Sequence, residues 1–146
     1  MKLKEIYSQL ILESIDIDEI IDANIQPDQD YNKIKSNLVD FYNMIQNLPD
    51  IITLYRVLNI GSKAGLNPDL GSHFTLEKKF NDDFLYSIGL KGVNKENLKI
   101  ISIKTNKSNI KIGRTLAQHV MYPQENEIYL NKHYTYTNLK VLPYKF

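Results

Sequence analysis

Ten residues in the middle of the chain, Ile51–Ile60, read IITLYRVLNI. β-branched, aliphatic and aromatic side chains dominate, and neither glycine nor proline interrupts them. Pro49-Asp50 stops whatever precedes the run, so it predicts a buried strand, and a buried strand obliges the rest of the chain to supply a sheet. One charge stands inside it. Arg56 and Arg114 are the only arginines among eighteen basic side chains, so Arg56 is not drawn from an arginine-rich background. A charge in a core strand is costly unless it is paired or holds an anion. The planar guanidinium suits a phosphate or carboxylate better than an ammonium does. A salt bridge at the strand's exposed end is the plain structural alternative.

Upstream of this strand the pattern is helical. Leu3, Ile6, Leu10 and Ile11 make one apolar stripe and Ile17, Ile20 and Ile21 another, so residues 3–23 predict one or two short helices. Asp16 or Asp18 suits the N-cap of the second. Pro27 and the two aspartates after it, in IQPDQD, make a turn. Asp30 then caps the clearest helix of the chain, with Tyr31, Ile34, Leu38, Phe41, Tyr42, Ile45 and Leu48 on one face, ending at Pro49.

Downstream the pattern is mostly extended. Residues 61–71 (GSKAGLNPDLG) read as a loop, and SHFTL (72–76) as a short strand. Phe80, Phe84, Leu85 and Ile88 predict a helix ending near Gly89. LKIISIKT (98–105) alternates as a half-buried strand does, and Arg114–Met121 suits a short helix. ENEIYL (125–130) and LKVLPYKF (139–146) close the series, Pro143 marking the last as an edge or a strand end. The expected class is α+β, with a helical segment at 1–50 and a sheet-based core at 51–146.

A chain of 146 residues is sized for one compact domain. Without cysteine it has no disulfide, thiol nucleophile or thiolate metal site. No apolar run approaches the roughly 18 residues of a membrane span, and the amphipathic start lacks a cleavage site, so a cytoplasmic site of action is expected, with no membrane partner. The net charge of +1 hides an asymmetry. Residues 1–50 hold ten acidic and four basic side chains, a net of −6, and residues 51–146 hold seven and fourteen, a net of +7. Two mutually attracting lobes account for this, as does a basic half that receives a polyanion such as a dinucleotide. No arginine-rich tract argues for nucleic acid. P-loop and GxGxxG motifs are absent, and His73, His119 and His133 are too scattered to predict a metal site.

Two short patterns carry possible chemistry. Glu125 and Glu127, two apart on a predicted strand, point to one face, where like charges disfavour joint ionisation. Two solvated carboxylates at a strand's start are the plain reading. The functional one is a carboxylate that binds a sugar hydroxyl and stabilises a cationic transition state, with its neighbour orienting a nucleophile. His73 and Thr75 likewise share a face of their strand.

In order, LYRVLNI, GSHFT and YPQENEIYL resemble the Arg–Ser–Glu arrangement of mono-ADP-ribosyltransferases. That family has an arginine on its first core strand, a Ser-Thr-Ser segment on the next and an E-x-E motif before an apolar strand. The resemblance covers residues 51–146 and implies a split β-sheet core with NAD as substrate and no metal. It implies that Arg56 grips an NAD phosphate and that Tyr55, His73, Phe74 and Thr75 line the NAD site. Glu127 would hold the ribose 2′-hydroxyl and stabilise the oxocarbenium-like state. Glu125, Tyr122 and Gln124 would face an acceptor protein, with arginine as the modified side chain. His73-Phe74-Thr75 stands where the family has Ser-Thr-Ser. Small proteins of this type are common in bacteriophages, so the resemblance is compatible with a phage-encoded protein acting in the host cytoplasm. A non-catalytic binding or virion protein on the same fold is the alternative.

Overall fold

A computed structural model describes residues 15–59, 71–77, 92–123 and 126–144. It is an α+β protein with three helices and a five-stranded antiparallel sheet among those residues. The described elements divide into two compact units, one of helices and one of strands.

The helical unit contains α1 (Ile17–Asn24), α2 (Tyr31–Gln46) and α3 (Ile112–Met121). Both predicted aspartate caps form. Asp16 accepts a hydrogen bond from the Glu19 amide at 3.1 Å and Asp30 one from the Asn32 amide at 3.0 Å, each occupying a donor the helix leaves open. The stripe predicted for α2 is the buried one, with Ile34, Leu38, Phe41, Tyr42 and Ile45 inside. Ile21 of α1 and Thr115, Leu116, His119 and Val120 of α3 complete the core of this unit. On its surface Tyr31 donates to the Asp18 carboxylate at 2.7 Å, and Lys35 pairs with the same oxygen at 2.9 Å. These bonds hold Asp18 below the usual carboxylate range and push Tyr31 up to about 12. Residues 3–14, assigned helical above, lie outside the described residues, as does the helix expected around residues 80–88.

The sheet unit contains β1 (Ile51–Asn59), β2 (His73–Thr75), β3 (Leu98–Asn106), β4 (Glu127–Tyr129) and β5 (Thr137–Pro143), in the order β4-β2-β1-β3-β5. The expected division at residue 50 follows chain order, whereas α3 groups with the N-terminal helices instead of the strands around it. Its apolar positions, Leu116 and Val120, recur at the spacing that helix packing requires.

Pairing fixes which side chains share a face. Ile52, Leu54 and Arg56 of β1 lie on one face with Thr105, Ile103 and Ile101 of β3, Phe74 of β2 and Ile128 of β4. Apart from Arg56 these residues are all buried. On the other face Val57, Leu98 and Ile100 form a small apolar cluster joined by Tyr55, Leu142 and Tyr144. The clean alternation expected of β3 gives way here: Ile100 through Ile103 are buried without a break. A strand held between two others can bury both faces, and Ser102 is short enough to do so. β5 is the edge that Pro143 predicted. Asn138, with φ of 54°, lies where its register against β3 shifts.

Candidate functional site

The sheet brings the three sequence motifs onto three adjacent strands. Tyr55 of β1 lies opposite Thr75 of β2, and Thr75 opposite Glu127 of β4, so the three form one row on one face. The row continues through Ser102 of β3 to Lys140 of β5, crossing the whole sheet from a carboxylate at one edge to an ammonium at the other. With strands about 4.8 Å apart, Tyr55 and Glu127 stand about 10 Å apart along the backbone. Glu127 is half-buried and Thr75 buried. His73 is exposed on the same face, one row on, its ring tilted against Tyr129 at 4.1 Å between centroids.

Arg56 and Phe74 point the other way. Register places both on the apolar face with Leu54 and Ile128. The five residues assigned to NAD contact thus divide into Tyr55, His73 and Thr75 on one side and Arg56 and Phe74 on the other. The half-buried Arg56 side chain nevertheless reaches the start of β2. Its guanidinium lies over Gly71, where a Cβ would overlap Nη1 and come within 2.9 Å of Cζ. Gly71 also has φ of 71°, so the position excludes side chains on two grounds. Its carbonyl accepts a hydrogen bond from the Tyr134 hydroxyl at 2.8 Å, and the Tyr134 ring meets Phe74 edge-on at 5.9 Å. Gly71 and Tyr134 were not among the predicted site residues. The glycine preceding the SHFT segment was the available signal for the first; nothing in the TYT stretch marks the second.

The Thr75 hydroxyl has one proton to donate. It lies 2.9 Å from the Glu77 carbonyl and 3.4 Å from that of Tyr55, so the proton goes to the backbone. Its lone pairs remain to accept. Tyr122 is exposed just beyond α3, its amide bonded to the Gln118 carbonyl at 2.9 Å. Gln124 and Glu125 lie outside the described residues, so the expected pairing of Glu125 with Glu127 on one face does too. Among the described residues no group of three or more His, Asp or Glu side chains is brought together as a metal site would require. No described helix is long and apolar enough to cross a membrane.

Compared with protein-family models, with curated proteins and with solved structures, the chain matches none.

Proposed function

We propose that this chain is an NAD-dependent mono-ADP-ribosyltransferase that modifies a protein side chain, with arginine the favoured acceptor. The observation that carries the reading is the strand order. Residues 56, 71–75 and 127 are far apart in sequence, yet β4, β2 and β1 are neighbours, Glu127 faces Thr75, and the Arg56 guanidinium lies against Gly71. The split-sheet core remains part of the proposal, to which the described strands contribute one antiparallel sheet.

In this reading Glu127 accepts a hydrogen bond from the ribose 2′-hydroxyl and offsets the positive charge that grows on the ribose as nicotinamide leaves C1′. A nitrogen of the acceptor guanidinium then bonds to C1′ and gives up a proton. Arg56 supplies charge to the NAD phosphates, and Tyr55 and His73 offer ring surface on the Glu127 face. Glu125, Gln124 and Tyr122 are the proposed acceptor contacts, and a host cytoplasm invaded by a phage is the proposed setting.

Two observations favour a second reading, a non-catalytic binding or virion protein. Arg56 springs from the face opposite Glu127, and the Thr75 proton is engaged by the backbone instead of supporting the glutamate. Incubating the protein with labelled NAD and a cell lysate separates the two. Label on one or a few protein bands, lost in Glu127→Gln, supports transfer. Absence of label, together with no thermal shift on adding NAD, supports the binding protein.

A further inference from the structure

Two buried polar atoms have no hydrogen-bond partner among the described residues, and both belong to the helical unit: Nδ1 of His119 and Oη of Tyr42. His119 is 8% exposed on the inner side of α3, between Thr115, Leu116 and Val120. Its ring stacks on Phe41 of α2 with centroids 3.9 Å apart and planes 6° from parallel. Neighbouring Phe41 in α2 is Tyr42, itself buried.

We propose that His119 is an acid-sensitive latch that holds the helical unit closed while its ring is neutral and opens it once the ring is protonated. A neutral imidazole behaves here as a flat, nearly apolar plate that matches the Phe41 face. An imidazolium must place a second N–H in the same cavity, and the described residues offer Nδ1 no acceptor. Cation–π attraction to Phe41 offsets only part of the loss, because phenylalanine is a weaker partner than tryptophan.

Among the described residues no counter-charge is buried beside it. The acidic residues of α1 and its cap, Asp16, Asp18, Glu19 and Asp22, are exposed, as are Lys33, Lys35 and Asp40 of α2 and Arg114 of α3 itself. Tyr42 is the titratable side chain that α2 buries, and burial keeps it neutral by raising its pKa. Burial alone, without a charged neighbour, pushes His119 down to about 4 from an ordinary 6.5. The unfolded unit therefore binds more protons than the folded one across that interval. Stability is complete above pH 6.5, declines as pH falls and levels off below about 4. A histidine paired with a carboxylate would gain stability as pH falls, whereas this one only loses it.

The test is hydrogen exchange of the full chain at pH 7 and pH 5, corrected for the intrinsic pH dependence of exchange. Most carboxylates stay ionised over this range. The opening equilibrium of α2 and α3 amides should rise about 20-fold from pH 7 to pH 5, from the two pKa values and the linkage relation. Amides of β1 and β3 should rise much less. In His119→Phe, which keeps the stacked ring without the titration, the rise in the helices should vanish. An unchanged rise in that variant overturns the proposal, as does an equal rise in helices and strands. Should His119→Phe and His119→Leu both fail to fold, NMR titration of the wild-type rings decides. A His119 ring titrating near 6.5 with the helical amides still protected overturns the latch, and one titrating well below that value supports it.

Discussion

The two faces of the sheet, read along the three residues of β2, teach opposite lessons. Phe74 points to a face where Ile52, Leu54, Ile101, Ile103 and Ile128 are all buried, and that face accounts for the existence of the sheet. His73 and Thr75 point to the other, where a glutamate, two hydroxyls, a tyrosine and a lysine form one row. One pleat thus separates the larger packed face from the candidate chemistry, which shares its own face with the small Val57, Leu98 and Ile100 cluster. Arg56 is the exception, a charge rooted on the apolar face whose head group escapes along the start of β2 to Gly71.

That separation can be broken in a defined order. Phe74→Ala should have the largest effect, because Phe74 is 1% exposed and truncating a buried phenylalanine costs about 3–5 kcal/mol. Chemical denaturation should register it whether or not the protein is an enzyme. Glu127→Gln should do the reverse. Its unfolding midpoint should stay near that of the wild type, while transfer from NAD falls by a factor of about 100 or more, as when an electrostatic stabiliser is removed. A large loss of stability in Glu127→Gln would mean that the polar row is structural and would weaken the enzymatic reading. Gly71→Ala should come next, costing about 1–3 kcal/mol from the left-handed backbone conformation, with a further loss from displacing the guanidinium. In an Arg56→Ala background the steric part should disappear and the backbone part remain. A double-mutant cycle measures the difference.

Sequence pattern revealed elements better than it revealed neighbours. Asp16 and Asp30 announced their helices because capping is local chemistry, settled within three residues. The strand at Ile51 and the edge marked by Pro143 were legible for the same reason. The opposite facing of Arg56 and Thr75 was not, since it depends on Tyr55 pairing with Thr75, 20 residues away in the chain. The grouping of α3 with α1 and α2 was hidden too, because the chain enters and leaves α3 through strands. Gly71 read only as the last residue of the 61–71 loop because the guanidinium above it arrives from a different strand. His119 entered the sequence reading only as a histidine too isolated for a metal site, and its stacking on Phe41 required the fold.

The smallest effect belongs at the sheet's edge, and it sharpens the contrast between facing inward and being buried. Ile101 and Val141 lie directly opposite each other on β3 and β5 and so share a face. Ile101 is 3% exposed and Val141 60% exposed. Ile101→Ala should cost about 2–5 kcal/mol, the range for large-to-small changes in a packed core. Val141→Ala, one strand away, should stay within about 0.5 kcal/mol, as an exposed substitution does. If Val141→Ala instead costs as much as a core change, β5 is covered in solution. The loss should then depend on protein concentration if a second copy provides that cover, because self-association makes apparent stability follow mass action. Equal, small losses at both positions would mean that the apolar face is less tightly packed than the burial of Ile101 requires.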